Sequence, residues 1–162
     1  MKISDSITHR SQQKQYSCGA ACISMLLNVS EDSIRKSIKT TIKGTKSENV
    51  SEFLKSLNIN HHRVYLKKSY NEIIDDLIRT SFQFPLYLSG TYLWNNKGRG
   101  RPITRHHASL FCDGYIYDPA EHNKLSGESY RHTFNKSLIF NEMILIEEER
   151  SGFIKNFNNF FE

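Results

Sequence analysis

Apolar positions in the first half of the chain recur at helical spacing, whereas those of the second half gather in short runs rich in β-branched and aromatic residues. Val50, Phe53, Leu54 and Leu57 stand at i, i+3, i+4 and i+7, and Ile73, Ile74, Leu77 and Ile78 form a similar stripe. Such a stripe is the face an amphipathic helix turns to a core. An S/T-x-x-E sequence introduces each, Thr45-Lys46-Ser47-Glu48 and Ser69-Tyr70-Asn71-Glu72, which predicts a capping box at both helix starts. Ser30 predicts the cap of a short helix carrying Ile34 and Ile38, and the breaker-free run after Cys18 predicts a helix beginning at or near that cysteine. Four helices therefore precede the main run of strands.

Strands are expected at 63–66, 84–89, 108–112, 115–118 and 137–146. Helices early and an antiparallel sheet later make an α+β domain. Asp113-Gly114, between two apolar runs, is a strong hairpin signal. With those two residues as the loop, Cys112 faces Tyr115, Phe111 faces Ile116, Leu110 faces Tyr117 and Ser109 faces Asp118. The register puts His107, Ser109, Phe111 and Asp118 on one face and His106 on the other. Diagonal Cβ atoms lie about 7–8 Å apart, a gap that an imidazole and a carboxylate leaning together close to a hydrogen bond.

The chemistry begins at Gln12-Gln13-Lys14-Gln15-Tyr16-Ser17-Cys18-Gly19. A thiol at a helix mouth is surrounded by unpaired amides and the positive end of the dipole, which favour the thiolate. Gly19 leaves room for a substrate backbone. Gln12, six residues before Cys18, can return an N–H toward the sulfur and, with the Cys18 N–H, form an oxyanion hole. A free cysteine is most often an inert core residue, so the matching base matters. His107 is that base and Asp118 its orienter, which completes the parts of thiol nucleophilic catalysis.

These residues resemble the bacteriocin-processing, double-glycine-leader cysteine peptidases, a family with a papain-like fold. Gln12, Cys18-Gly19, His107 and Asp118-Pro119 match its pattern, and the resemblance covers roughly residues 8–148. It implies a Cys helix packed so that its N-terminus meets the His strand, and cleavage of a peptide bond after small residues such as a Gly-Gly pair. The short interval between His107 and Asp118 and the basic loop before His107 depart from that pattern.

Composition narrows the rest. The 162 residues suit one domain, 1–150, and no linker or repeat is evident. Residues 151–162 are expected to form an amphipathic tail with Phe153, Phe157, Phe160 and Phe161 on one face. A net charge of +5, from 22 basic and 17 acidic residues, is too mild for a nucleic-acid partner. No run approaches the ~20 apolar residues of a membrane span. Three cysteines and no apolar leader point to a reducing cytoplasm. The densest basic stretch holds Lys97, Arg99, Arg101 and Arg105. As a solvated loop it needs no function; otherwise Arg99 and Arg101 recruit an acidic substrate segment.

The expected partner is a peptide or protein substrate, and no cofactor is expected. A zinc site on Cys18, Cys22 and a histidine is disfavoured, because two cysteines four apart with no second close pair make a poor motif. His9, His61, His62, His122 and His132 show no partner in the sequence. A glutamine deamidase or an isopeptidase would use the same triad on another carbonyl, and a non-catalytic peptide-binding module remains the alternative of another class.

Overall fold

The computed structural model describes residues 3–79, 84–94, 98–133 and 138–147. Lys97 and the expected tail 151–162 lie outside them. After a short 3₁₀ turn at Ile3–Ser6 come four helices and a strand: α1 (Cys18–Leu27), α2 (Glu31–Ser37), α3 (Ser47–Ser56), β1 (His61–Ser69) and α4 (Tyr70–Arg79). The remainder runs β2 (Leu86–Trp94), β3 (Ile103–Cys112), β4 (Tyr115–Tyr117), β5 (Leu125–Ser126), α5 (Gly127–Thr133) and β6 (Ile139–Ile146).

Local chemistry explains most boundaries. Ser30 caps α2, its hydroxyl accepting from the Ser33 N–H. At α4 the capping box forms reciprocally: Ser69 N–H donates to Glu72 Oε2 at 2.7 Å and Glu72 N–H to Ser69 Oγ at 3.4 Å. The box expected at α3 does not form. Lys46 occupies the cap position and no side chain caps the helix. Thr45 Oγ1 is bonded instead to Thr40 Oγ1 (2.7 Å), and Glu48 reaches Arg63 (3.2 Å). Tertiary partners thus outcompete the local motif for both side chains.

The six strands form one antiparallel sheet in the order β1-β6-β2-β3-β4-β5. The hairpin register is the one the Asp-Gly loop predicts, with Cys112 opposite Tyr115, Phe111 opposite Ile116 and Leu110 opposite Tyr117. Asp113 and Gly114 both take positive φ, 49° and 82°, as a two-residue hairpin turn of the primed type requires. Ser109 and Asp118 fall outside the ladder, because β4 ends at Tyr117.

The sheet separates two cores. Ala108, Leu110, Ile144 and Ile146 meet Ala20, Ile23 and Met25 of α1 together with Ile34, Val50 and Leu54 of α2 and α3. On the other face Leu86, Leu88, Phe111, Met143 and Leu145 meet Ile73, Ile74 and Leu77 of α4 and Tyr130 of α5. Successive residues of β6 alternate between these cores, which is the period-2 rule of a strand covered on both sides. α1 shows no apolar stripe because it is enclosed: eight consecutive residues, from Gly19 through Leu26, are buried.

Candidate active site

The loop that delivers Cys18 is fastened to a buried carboxylate. Glu31, only 5% exposed, accepts from the Gln13 N–H (3.0 Å) and from the Ser17 hydroxyl (3.1 Å), with Arg35 3.7 Å away. Ser17 occupies the cap position of α1, yet its side chain makes no capping bond. The first-turn amides of α1, beside Cys18, are therefore left without a capping side chain. A second set of bonds ties this segment to the end of the hairpin. Gln12 N–H donates to the Pro119 carbonyl (2.8 Å), His9 Nε2 to the Asp118 carbonyl (2.8 Å) and Ser11 Oγ to the Glu121 carbonyl (2.9 Å).

His107 and Asp118 are 7% and 1% exposed. His107 Nε2 donates to Asp118 Oδ2 at 2.8 Å, so the diagonal gap across the hairpin closes to a direct bond. The other carboxylate oxygen, Oδ1, accepts from the Ala120 N–H (2.8 Å), and the Tyr130 hydroxyl donates to Oδ2. Burial disfavours the Asp118 carboxylate, but these bonds outweigh it and hold its pKa below the usual range. Burial likewise works against a charged His107. Hydrogen bonds that His107 donates to Asp118 and to Cys18 overcome that penalty and push the imidazole up to about 10. With Nε2 on the aspartate, Nδ1 is the nitrogen left for the Cys18 sulfur. The three groups converge although Cys18 and His107 lie far apart in sequence.

Cys18 and His107 open onto a cleft of about 440 Å³. Gly19 forms part of its floor, and a Cβ there would stand 2.9 Å from the Tyr87 hydroxyl and 3.1 Å from Thr45 Cβ. The charged residues that line it, Lys43 and Arg105, are basic, and no carboxylate is among the lining residues. Arg99 and Arg101 are exposed and do not line the cleft. Gln12 does not line it either. Its carboxamide donates to the carbonyls of Lys14 (2.8 Å) and Gln15 (3.1 Å), and Gln15 is the glutamine on the wall.

Comparison with known proteins bears on the fold. Residues 6–84 match the model of the Peptidase C39 family. The peptidase domain of Streptococcus ComA, a bifunctional ABC transporter involved in a quorum-sensing pathway, superposes with a TM-score of 0.58 at 15% identity, over 88% of this chain and 99% of that one. A double-glycine-motif protease from an AMS/PCAT transporter, solved in complex with the leader peptide, gives 0.51 at 17% identity, over 86% and 89%. The fold is that of a C39-type, papain-like peptidase domain. No curated protein sequence matches the chain closely enough to count as a relative.

Within this C39-type fold, several site residues leave little trace in the sequence. Tyr130 lies on α5, a seven-residue helix with no apolar stripe, reached through the two-residue strand β5. Neither element has a periodicity to read. His9 and His61, whose partners the sequence does not reveal, have structural ones: His9 holds the Asp118 carbonyl, and His61 is bonded to Ser51 Oγ (2.6 Å) and the Ile59 carbonyl (2.9 Å). The side chain of His132 lies outside the described residues. All three cysteines are free, and Cys22 is buried, its thiol raised well above the ordinary range by burial first and then by neighbouring negative charge. Among the described residues no group of three metal-ligating side chains converges, and no helix is long and apolar enough to cross a membrane.

Proposed function

We propose that this chain is a cysteine peptidase in which Cys18, His107 and Asp118 act as a triad on a peptide substrate. The observation that carries the reading is the ring of His107, bonded through one nitrogen to a buried carboxylate and hydrogen-bonded to the Cys18 thiol. The family match and the peptidase fold support it.

In this mechanism the Cys18 thiolate attacks the carbonyl carbon, and the negative charge that develops on oxygen meets the Cys18 N–H and the first turn of α1. His107 delivers its proton to the leaving nitrogen as the C–N bond breaks, and the acyl group stays on sulfur as a thioester. Water then attacks, with the neutral imidazole taking its proton, and the acid product leaves. Asp118 holds the tautomer throughout. Gln12 joins the oxyanion hole only by exchanging one of its two bonds to backbone carbonyls for the substrate oxygen.

A peptide is the favoured substrate class because a protease of this fold has been solved with a leader peptide. The close approach of Tyr87 and Thr45 to Gly19 favours small residues beside the thiol. The basic cleft favours an acidic side chain nearby. The test is mass spectrometry of candidate peptides incubated with the wild type and with Cys18→Ala. Two shorter products that need Cys18 are expected. An intact chain carrying a Gln-to-Glu change, or a released modifier, would replace peptide hydrolysis by deamidation or isopeptide cleavage. Slow, uniform alkylation of all three cysteines by iodoacetamide below pH 7 would remove the thiolate on which every version depends.

A further inference from the structure

Asp118 Oδ2 serves two donors at once. His107 Nε2 reaches it from β3 and the Tyr130 hydroxyl from α5. Tyr130 is fully buried, so its hydroxyl has no bulk water to turn to. Burial, followed by the negative Asp118, raises its pKa well above the ordinary phenol value, so it remains a donor throughout the working range. The ring is fixed from behind: Tyr70 packs edge-on against it at 4.8 Å, and the Tyr70 hydroxyl donates to the Gly127 carbonyl at 3.0 Å, anchoring the first turn of α5. Gly127 is the residue that permits this, since a Cβ there would stand 2.8 Å from Ile74 Cγ1.

A carboxylate oxygen that already accepts a strong, charge-assisted bond is a weaker acceptor for the next donor. From this sharing we infer that Tyr130 is a positioning residue for the proposed triad: it fixes the Asp118 carboxylate and moderates how tightly Oδ2 holds the His107 proton. It does not line the cleft and reaches the triad through Asp118. The consequence is functional, because an imidazolium bound too tightly to its aspartate gives up its proton reluctantly to a leaving amine. The inference rests on the triad reading given above.

The experiment compares the wild type, Tyr130→Phe and Tyr70→Phe. The first variant keeps the ring and removes the bond to Oδ2. The second removes the anchor of α5 and leaves the Asp118 bond in place, so it controls for loosening of the helix. Two quantities are followed: the ¹⁵N titration of the His107 imidazole, with its Nε2 proton resonance, and the pH dependence of Cys18 alkylation by iodoacetamide. In Tyr130→Phe the Nε2 proton should move downfield, and the His107 titration should rise by about half a unit, a roughly threefold change in its proton affinity. Tyr70→Phe should move neither. An unchanged or lowered His107 titration in Tyr130→Phe, with a wild type that titrates well above the ordinary histidine range, would overturn the role of Tyr130 alone. A wild-type His107 that titrates like a free histidine would overturn the triad and this inference together.

Discussion

At the scale of single residues, the carboxylate of Asp118 decides the state of the imidazole. Asp118→Asn leaves a neutral partner that satisfies either tautomer of His107. The expected result is a fall in turnover of ~10³–10⁴-fold, the scale associated with neutralising the orienting carboxylate of such a triad. The His107 titration should drop from about 10 toward the ordinary histidine value. The same pair gives a pH dependence of stability whose sign can be worked out. His107 is raised on folding, so its contribution is complete below about pH 6.5, the unfolded value, and is lost as pH climbs through about 10. Asp118 is lowered on folding, so its contribution holds above the usual carboxylate range and is lost as acid titrates it. Thermal melting followed by circular dichroism should therefore show a plateau in mildly acidic buffer with a decline on both sides. Asp118→Asn should flatten both declines.

At the scale of elements, the helix that begins at Cys18 is aimed by its neighbour. Glu31, the first residue of α2, holds Gln13 and Ser17 on the loop that enters α1. Glu31→Gln keeps the volume but weakens two charge-assisted bonds, and should cost about 1.5–3 kcal/mol of stability by denaturant melts. Because the loop carries the thiol, alkylation of Cys18 should slow as well, while labelling of the buried cysteines on unfolding stays the same.

The elements that can be read from the sequence are those whose signal is local. The start of α1, the Ser30 cap, the α4 box and the hairpin register all follow from residues within a few positions of one another, and the diagonal logic of the hairpin placed His107 beside Asp118. What cannot be read depends on distant partners. Thr45 and Glu48 look like a capping box until Thr40 and Arg63 engage them. β2 and β3 extend as far as Trp94 and Ile103 because their backbones pair there, although those ends are largely solvated and show no alternation. Tyr130 and Glu31 reach the site only through tertiary contact.

At the scale of the whole molecule, the modest net charge of +5 conceals its distribution. Lys43 and Arg105 both line the cleft, and Arg105 is held in place by stacking 3.7 Å over the Trp94 ring. Cations lining a concave site focus their field on what enters it. Neutralising Lys43 and Arg105 together, as Lys43→Gln and Arg105→Gln, should raise KM about tenfold for a peptide with an acidic residue near the scissile bond and weaken its salt dependence. An isosteric neutral peptide should show little change. Equal effects on both peptides would assign these residues to shape rather than to charge.

The strand order carries a consequence for synthesis. β6, the last described strand in the chain, lies between β1 and β2 rather than at an edge. A nascent polypeptide that has emerged only as far as Asp118 holds Cys18, His107 and Asp118, yet still lacks the strand that joins its two halves. The sheet can therefore close only once residues 139–146 are available to pair with both halves.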